Sequence, residues 1–142
     1  MADRPDLELA RRTLAAQPFS KLLGARLTAF GDGAATLELD IREELCQQYG
    51  FLHGGVLGYA ADNTLTFAAG SVLGPRLITA GYTIDYLRPA TGAVLHARAQ
   101  VLRAGRTLAV CRCDLTTIAA DGTRRLCAVA QGTIVVAEHA TG

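Results

Sequence analysis

The short strings that announce many enzyme classes are missing from this 142-residue chain. It has no Gly-x-Ser-x-Gly elbow for a serine nucleophile, no phosphate-cradling P-loop and no dinucleotide-binding glycine fingerprint. Its four cysteines, Cys46, Cys111, Cys113 and Cys127, form no Cys-x-x-Cys pair and have no companion histidines at metal-ligand spacing. They are expected to be core thiols, and no metal site is expected. A charge excess is also lacking: 14 basic residues face 13 acidic ones, with no block of one sign, which argues against nucleic acid or an anionic membrane as partner. The start, Met1-Ala2-Asp3-Arg4-Pro5-Asp6, runs into Arg11-Arg12 without the apolar core of a secretory signal, so a cytoplasmic location is expected.

Half the residues are hydrophobic, enough for one domain over residues 1–142 to bury a core. Residues 54–75 are long enough to cross a bilayer, and Asp62 is their one charged side chain. Gly54, Gly55, Gly58, Gly70, Asn63, Thr64 and Thr66 dilute the run, and a carboxylate near its middle would cost roughly 2.5–3.5 kcal/mol on insertion into lipid. A helix buried by protein accounts for the stretch better.

Around it, patterning sets the order of elements. Residues 6–16 place Leu7, Leu9, Ala10 and Leu14 among charges, which predicts a short amphipathic helix ended by Pro18. This segment, 1–17, is expected to cover a core spanning 18–137, with 138–142 as a tail. Two strand-like runs, 25–30 and 34–41, are joined by Gly31-Asp32-Gly33, and the second alternates Leu37, Leu39 and Ile41 with Thr36, Glu38 and Asp40. Residues 42–52 read as irregular, and the apolar helix follows from 54 to about 72, closed by Gly74-Pro75. Residues 77–87 alternate like a half-buried strand. Runs at 94–102, 107–118 and 126–137 complete an α+β plan, one antiparallel sheet wrapped round one long helix. That plan alone assigns no function.

Asp62 is the most informative residue, because an ionised carboxylate in an apolar helix must be paired, solvated by a cleft, or used. Pairing with a basic side chain across an interface, or capping a neighbouring loop, are the structural alternatives. His53-Gly54-Gly55 marks the start of the same helix, where bare glycine N–H groups at the positive end of the helix dipole suit a developing oxyanion. Asp62 lies eight residues beyond Gly54, about 12 Å along a helix axis, too far for both to grip one carbonyl. Joint action therefore calls for a symmetric dimer, with Gly54 of one subunit facing Asp62 of the other.

The string His53-Gly54-Gly55-Val56-Leu57-Gly58-Tyr59-Ala60-Ala61-Asp62 resembles the signature of hot-dog thioesterases of the phenylacetate-degradation (PaaI) type. Gly50, three residues before the histidine, and residues 82–90, Tyr-Thr-Ile-Asp-Tyr-Leu-Arg-Pro-Ala, extend the likeness. The resemblance implies a hot-dog fold and an acyl-coenzyme A substrate, without a cofactor beyond the coenzyme A of the substrate itself. It implies that Gly54 N–H polarises the thioester carbonyl while Asp62 activates water or attacks directly. It further implies that His53 holds the loop and that Gly55 helps bind substrate. Gln47 stands where the family usually has asparagine, and Thr79 where a serine or threonine helps hold the water; Thr79 is equally explained as a β-branched strand residue. Arg103 and Arg106 flank a turn, either as solvated charges or as contacts for the coenzyme A phosphates. His96 and His139 have no partner pattern.

A homodimer or a tetramer of two dimers is implied. Two rivals stand beside hydrolysis: a hot-dog hydratase or dehydratase, and a non-catalytic acyl-coenzyme A binding module. No aspartate is followed five positions later by a histidine, the pattern expected of the hydratases. A binding module gains nothing from a desolvated Asp62. The acyl group, aliphatic or aryl, stays open.

Overall fold

The computed structural model describes residues 6–137, so the expectations about the tail and His139 lie outside the described residues. Helix α1, Leu7–Ala15, begins where the Asp6 carboxylate accepts the Leu9 N–H at 2.7 Å, satisfying one of the free donors of the first turn. Its inner face is Leu7, Ala10 and Leu14; Leu9 points away and is exposed. Pro18 does not simply close this helix. It opens a second one, α2, Pro18–Leu23, because proline's preset φ suits the first helical turn and its missing N–H has no helical partner there. Gly24, at φ 74°, ends α2 in the left-handed region.

Strands β1, Arg26–Gly31, and β2, Ala34–Asp40, form the expected hairpin. Asp32 and Gly33, at φ 52° and 78°, supply the handedness a tight hairpin turn needs. The irregular stretch contains a short 3-10 turn, Glu43–Leu45, and a bridge between Cys46 and Leu52. Helix α3, Gly54–Leu73, is followed by β3, Leu77–Tyr86; β4, Val94–Ala104; β5, Leu108–Ile118; and β6, Arg124–Val136.

The six strands make one antiparallel sheet in the order β1-β2-β4-β5-β6-β3, packed on α3 as in a hot-dog fold. Ala60, Ala61, Leu65, Ala68 and Ala69 of α3 are fully buried against Leu37, Leu39, Leu95, Leu115 and Ile134. Each large side chain removed from water in this way stabilises the fold by roughly 1.5–3 kcal/mol. Cys111, Cys113 and Cys127 are buried free thiols in the same core.

The expectation of a half-buried strand at 77–87 needs correction. Among the described residues β3 is an outer strand of the sheet, paired with β6 alone, and its Ile78, Tyr82 and Tyr86, with Leu87 just beyond it, are 56, 38, 54 and 52% exposed. Alternation in sequence reports two faces of a strand, and only a neighbouring layer makes one of them buried.

Candidate active site

The helix start is built by its own sequence. The His53 N–H donates to Leu45 O at 2.9 Å, and Leu52 N–H to Ala90 O at 3.0 Å, fixing the entry to α3 against two separate loops. His53 is the N-cap, and its Nδ1 accepts the Gly55 N–H at 2.9 Å. An acceptor Nδ1 carries no proton, so the neutral ring bears its proton on Nε2. The Val56 N–H is taken by His53 O. Of the first three N–H groups of the helix, that of Gly54 alone has no acceptor among the described residues. It is a free donor at the positive helix end.

Both glycines also stand close to neighbouring side chains. A Cβ on Gly55 would stand 3.0 Å from His53 Nδ1, and one on Gly54 would stand 3.3 Å from the Tyr86 hydroxyl. That hydroxyl donates to Gly54 O at 3.1 Å. Gln47 closes its own loop: its side-chain oxygen accepts the Tyr49 N–H, which leaves its amide NH₂ as a donor.

Asp62 is half-buried in the middle of α3. Its Oδ1 accepts the Thr79 hydroxyl at 2.7 Å, and Thr66 Oγ1 lies 3.1 Å from Thr79 Oγ1. Among the described residues no basic group lies within ion-pair distance of Asp62, so the intramolecular form of the pairing alternative is absent there. The carboxylate is oriented by a hydroxyl and left without a counter-charge.

These contacts belong to one seam. Gly54, Gly58, Asp62 and Thr66, spaced four apart on α3, meet Tyr86, Tyr82 and Thr79 of β3 in reverse order. Of this seam the sequence singles out Gly54, Asp62 and Thr79 as candidate site residues, and not Gly58, Thr66 or the two tyrosines. The four-residue spacing was the available signal. Apolar hollows of about 310 and 480 Å³ flank the helix start, one lined by Phe51, Leu57, Tyr86 and Pro89, the other by Phe19, Leu22, Leu45 and Val56.

Arg103 and Arg106 are not brought to this seam. Their turn lies near Val101, whose N–H donates to Gly33 O; Gly33 N–H in turn reaches Ser71 Oγ in the last turn of α3. The arginines therefore sit toward the opposite end of a 20-residue helix from Gly54, a span of about 30 Å. His96 is not idle: its Nδ1 lies 2.6 Å from Glu38 Oε2, across neighbouring strands. Among the described residues no cluster of His, Cys, Asp and Glu is arranged to hold a metal, and no helix is long and apolar enough to cross a membrane.

A helix start with one free N–H, an unpaired carboxylate two turns on and a sheet wrapped round both define a hot-dog enzyme scaffold, and comparison with known proteins agrees. The profile of the thioesterase superfamily matches residues 49–119, from just before the helix through β5, and the chain belongs to that family. Human acyl-coenzyme A thioesterase 13 is 31% identical over 112 residues, covering 77% of this chain and 80% of that protein. The Escherichia coli acyl-coenzyme A thioesterase PaaI is 30% identical over 92 residues, covering 64% of this chain and 65% of that one, in line with the PaaI-type resemblance. A thioesterase family protein from Silicibacter pomeroyi has a crystal structure that superposes with a TM-score of 0.83 at 31% identity, covering 88% of this chain and 93% of that one.

Proposed function

We propose that this protein hydrolyses acyl-coenzyme A thioesters to a carboxylic acid and coenzyme A, working as a dimer or a pair of dimers. The observation that carries the proposal is Asp62: a carboxylate without a cationic partner among the described residues, aligned by Thr79, inside an otherwise apolar helix. Asp62 takes a proton from water, and the water oxygen attacks the thioester carbonyl. The oxyanion that forms is held by a Gly54 N–H, taken in this reading from the opposite subunit, because Gly54 and Asp62 of one helix are too far apart to grip one carbonyl. His53 occupies the Gly55 N–H through its Nδ1 and so holds the helix start in shape, while the amide of Gln47 offers a further donor. Direct attack by Asp62 to form an anhydride is the alternative chemistry for the same residues.

The two hollows beside the helix start suit a thioester, which sends an acyl limb and a pantetheine limb away from one carbonyl. The test is a thiol-release screen over short, medium, long and aromatic acyl-coenzyme A substrates, run beside an enoyl-coenzyme A. Thiol release without double-bond hydration is the expected result. Hydration without thiol release would assign the site to a hydratase, and binding without turnover would make it a carrier.

A further inference from the structure

Thr79 and Tyr82 stand three residues apart on β3, a spacing that sends side chains to opposite faces of a regular strand. A bulge between Thr79 and Gly81 cancels that opposition. Thr79 reaches Asp62, and Tyr82 lies on the same face with its hydroxyl over Gly58, one turn earlier on α3. Two glycines make the room. A Cβ on Gly58 would come within 3.1 Å of that hydroxyl, and one on Gly132, the cross-strand neighbour, within 2.7 Å of the Tyr82 Cβ.

The hydroxyls of Tyr86 and Tyr59 are engaged, with Gly54 O and Ser20 Oγ. That of Tyr82 has no hydrogen-bond partner among the described residues, although the side chain sits at the seam and is 38% exposed. Burial, and then the charge of Asp62 and the proximity of Tyr86, hold its pKa above the ordinary phenol value. It therefore remains a proton-bearing donor throughout the neutral range.

We propose that Tyr82 is part of the reaction centre and that its hydroxyl donates a hydrogen bond to the sulfur as the thiolate departs. The inference rests on the hydrolytic function proposed above. A donor beside the base has four possible targets, and a bond to the Asp62 carboxylate, which already accepts from Thr79, would make it a weaker base. Bonding the attacking water's oxygen would weaken the nucleophile, and the carbonyl oxygen is already served by the helix start. The sulfur is the atom left without a donor. In the full step the water oxygen forms a bond to the carbonyl carbon and one water proton passes to Asp62. The C–S bond then breaks with its electron pair on sulfur, which Tyr82 solvates. The thiolate takes the proton held by Asp62, and the acid product loses its remaining proton to solvent.

An alkyl thiol, no more acidic than the cysteine side chain at about 8.5, is a moderate leaving group, so one hydrogen bond to its thiolate is worth on the order of tenfold in rate. The experiment compares wild type and Tyr82→Phe on one acyl group carried either by coenzyme A or by an aromatic thiol of lower pKa. Tyr82→Phe should lose about tenfold in kcat with coenzyme A and clearly less with the aromatic thiol, whose thiolate needs less help. Gly58→Ala, which displaces the hydroxyl without removing it, should show the same bias in smaller degree, and it decides the matter if Tyr82→Phe fails to fold. Equal losses on both thioesters, or no loss on either, would overturn the role of Tyr82 while leaving hydrolysis intact. A wild-type protein that releases thiol from neither substrate would overturn the hydrolytic function and this role with it.

Discussion

Thr79 Oγ1 donates to Asp62 Oδ1 at 2.7 Å, so the one hydroxyl that orients the carboxylate comes from the sheet and not from the helix that carries it. A side chain on a helix interior is aimed by its rotamer alone; a bond from another layer fixes which oxygen is left for water. Thr79→Ala should therefore lower kcat by about tenfold or more, the usual worth of a hydrogen bond to a charged group, whereas Thr79→Ser should keep most activity. Steady-state kinetics on the two variants checks this, and equal activity in Ala and Ser variants would remove Thr79 from the site.

Among the described residues β3 has one unpaired edge, and its Ile78, Tyr82 and Tyr86, with Leu87 just beyond it, are each more than a third exposed. A ten-residue apolar edge is a template for pairing, and the proposed mechanism needs a second subunit. Light scattering at micromolar concentration should give twice or four times the 14.9 kDa chain mass; a monomer would contradict the shared site.

Arg103 and Arg106 lie near the C-terminal end of α3, remote from Gly54 of their own chain. If they bind the nucleotide phosphates of coenzyme A, the double change Arg103→Ala with Arg106→Ala should raise KM by about tenfold and leave kcat nearly unchanged, since such contacts are equal in ground and transition states. An unaltered KM would return them to the role of solvated turn charges.

Burial pushes the Cys111 thiol up to about 11, and burial with the neighbouring Asp114 charge pushes Cys113 up to about 12; burial raises Cys127 as well. Thiols of this kind are nearly all protonated and unreactive at about pH 8. A thiol reagent should label Cys46, which is half-buried, in the native protein and reach the other three after unfolding. Rapid labelling of all four in the native state would show a looser core than this packing allows.

Much of this was legible in the residues alone. The apolar run broken by Asp62 revealed the central helix, and strand-like runs between turn signals, two of them clearly alternating, marked all six strands to within a few residues. The Gly54–Asp62 spacing, through the fixed rise of a helix, is what supports the proposal of a site shared by two subunits. What escaped depended on neighbours. Pro18 reads equally as the end of one helix or the start of another, and only the packing of α2 beside Tyr59 and Asn63 decides. The outer position of β3 is a matter of strand order, on which alternation is silent. Tyr82 was hidden by the bulge, since period-two counting places it on the face opposite Thr79.

The most direct test of the account is the substitution Asp62→Asn, which conserves volume and still accepts the Thr79 hydroxyl while removing the base. Thiol release from acyl-coenzyme A should fall by about 10²–10⁴, the range of a positioned general base, with the oligomer intact. The melting temperature should hold or rise, because a half-buried, unpaired carboxylate is less favourable than an amide. Turnover at the wild-type rate, or a loss of activity that merely follows dissociation and a lower melting temperature, would contradict the assignment of Asp62 as the catalytic carboxylate.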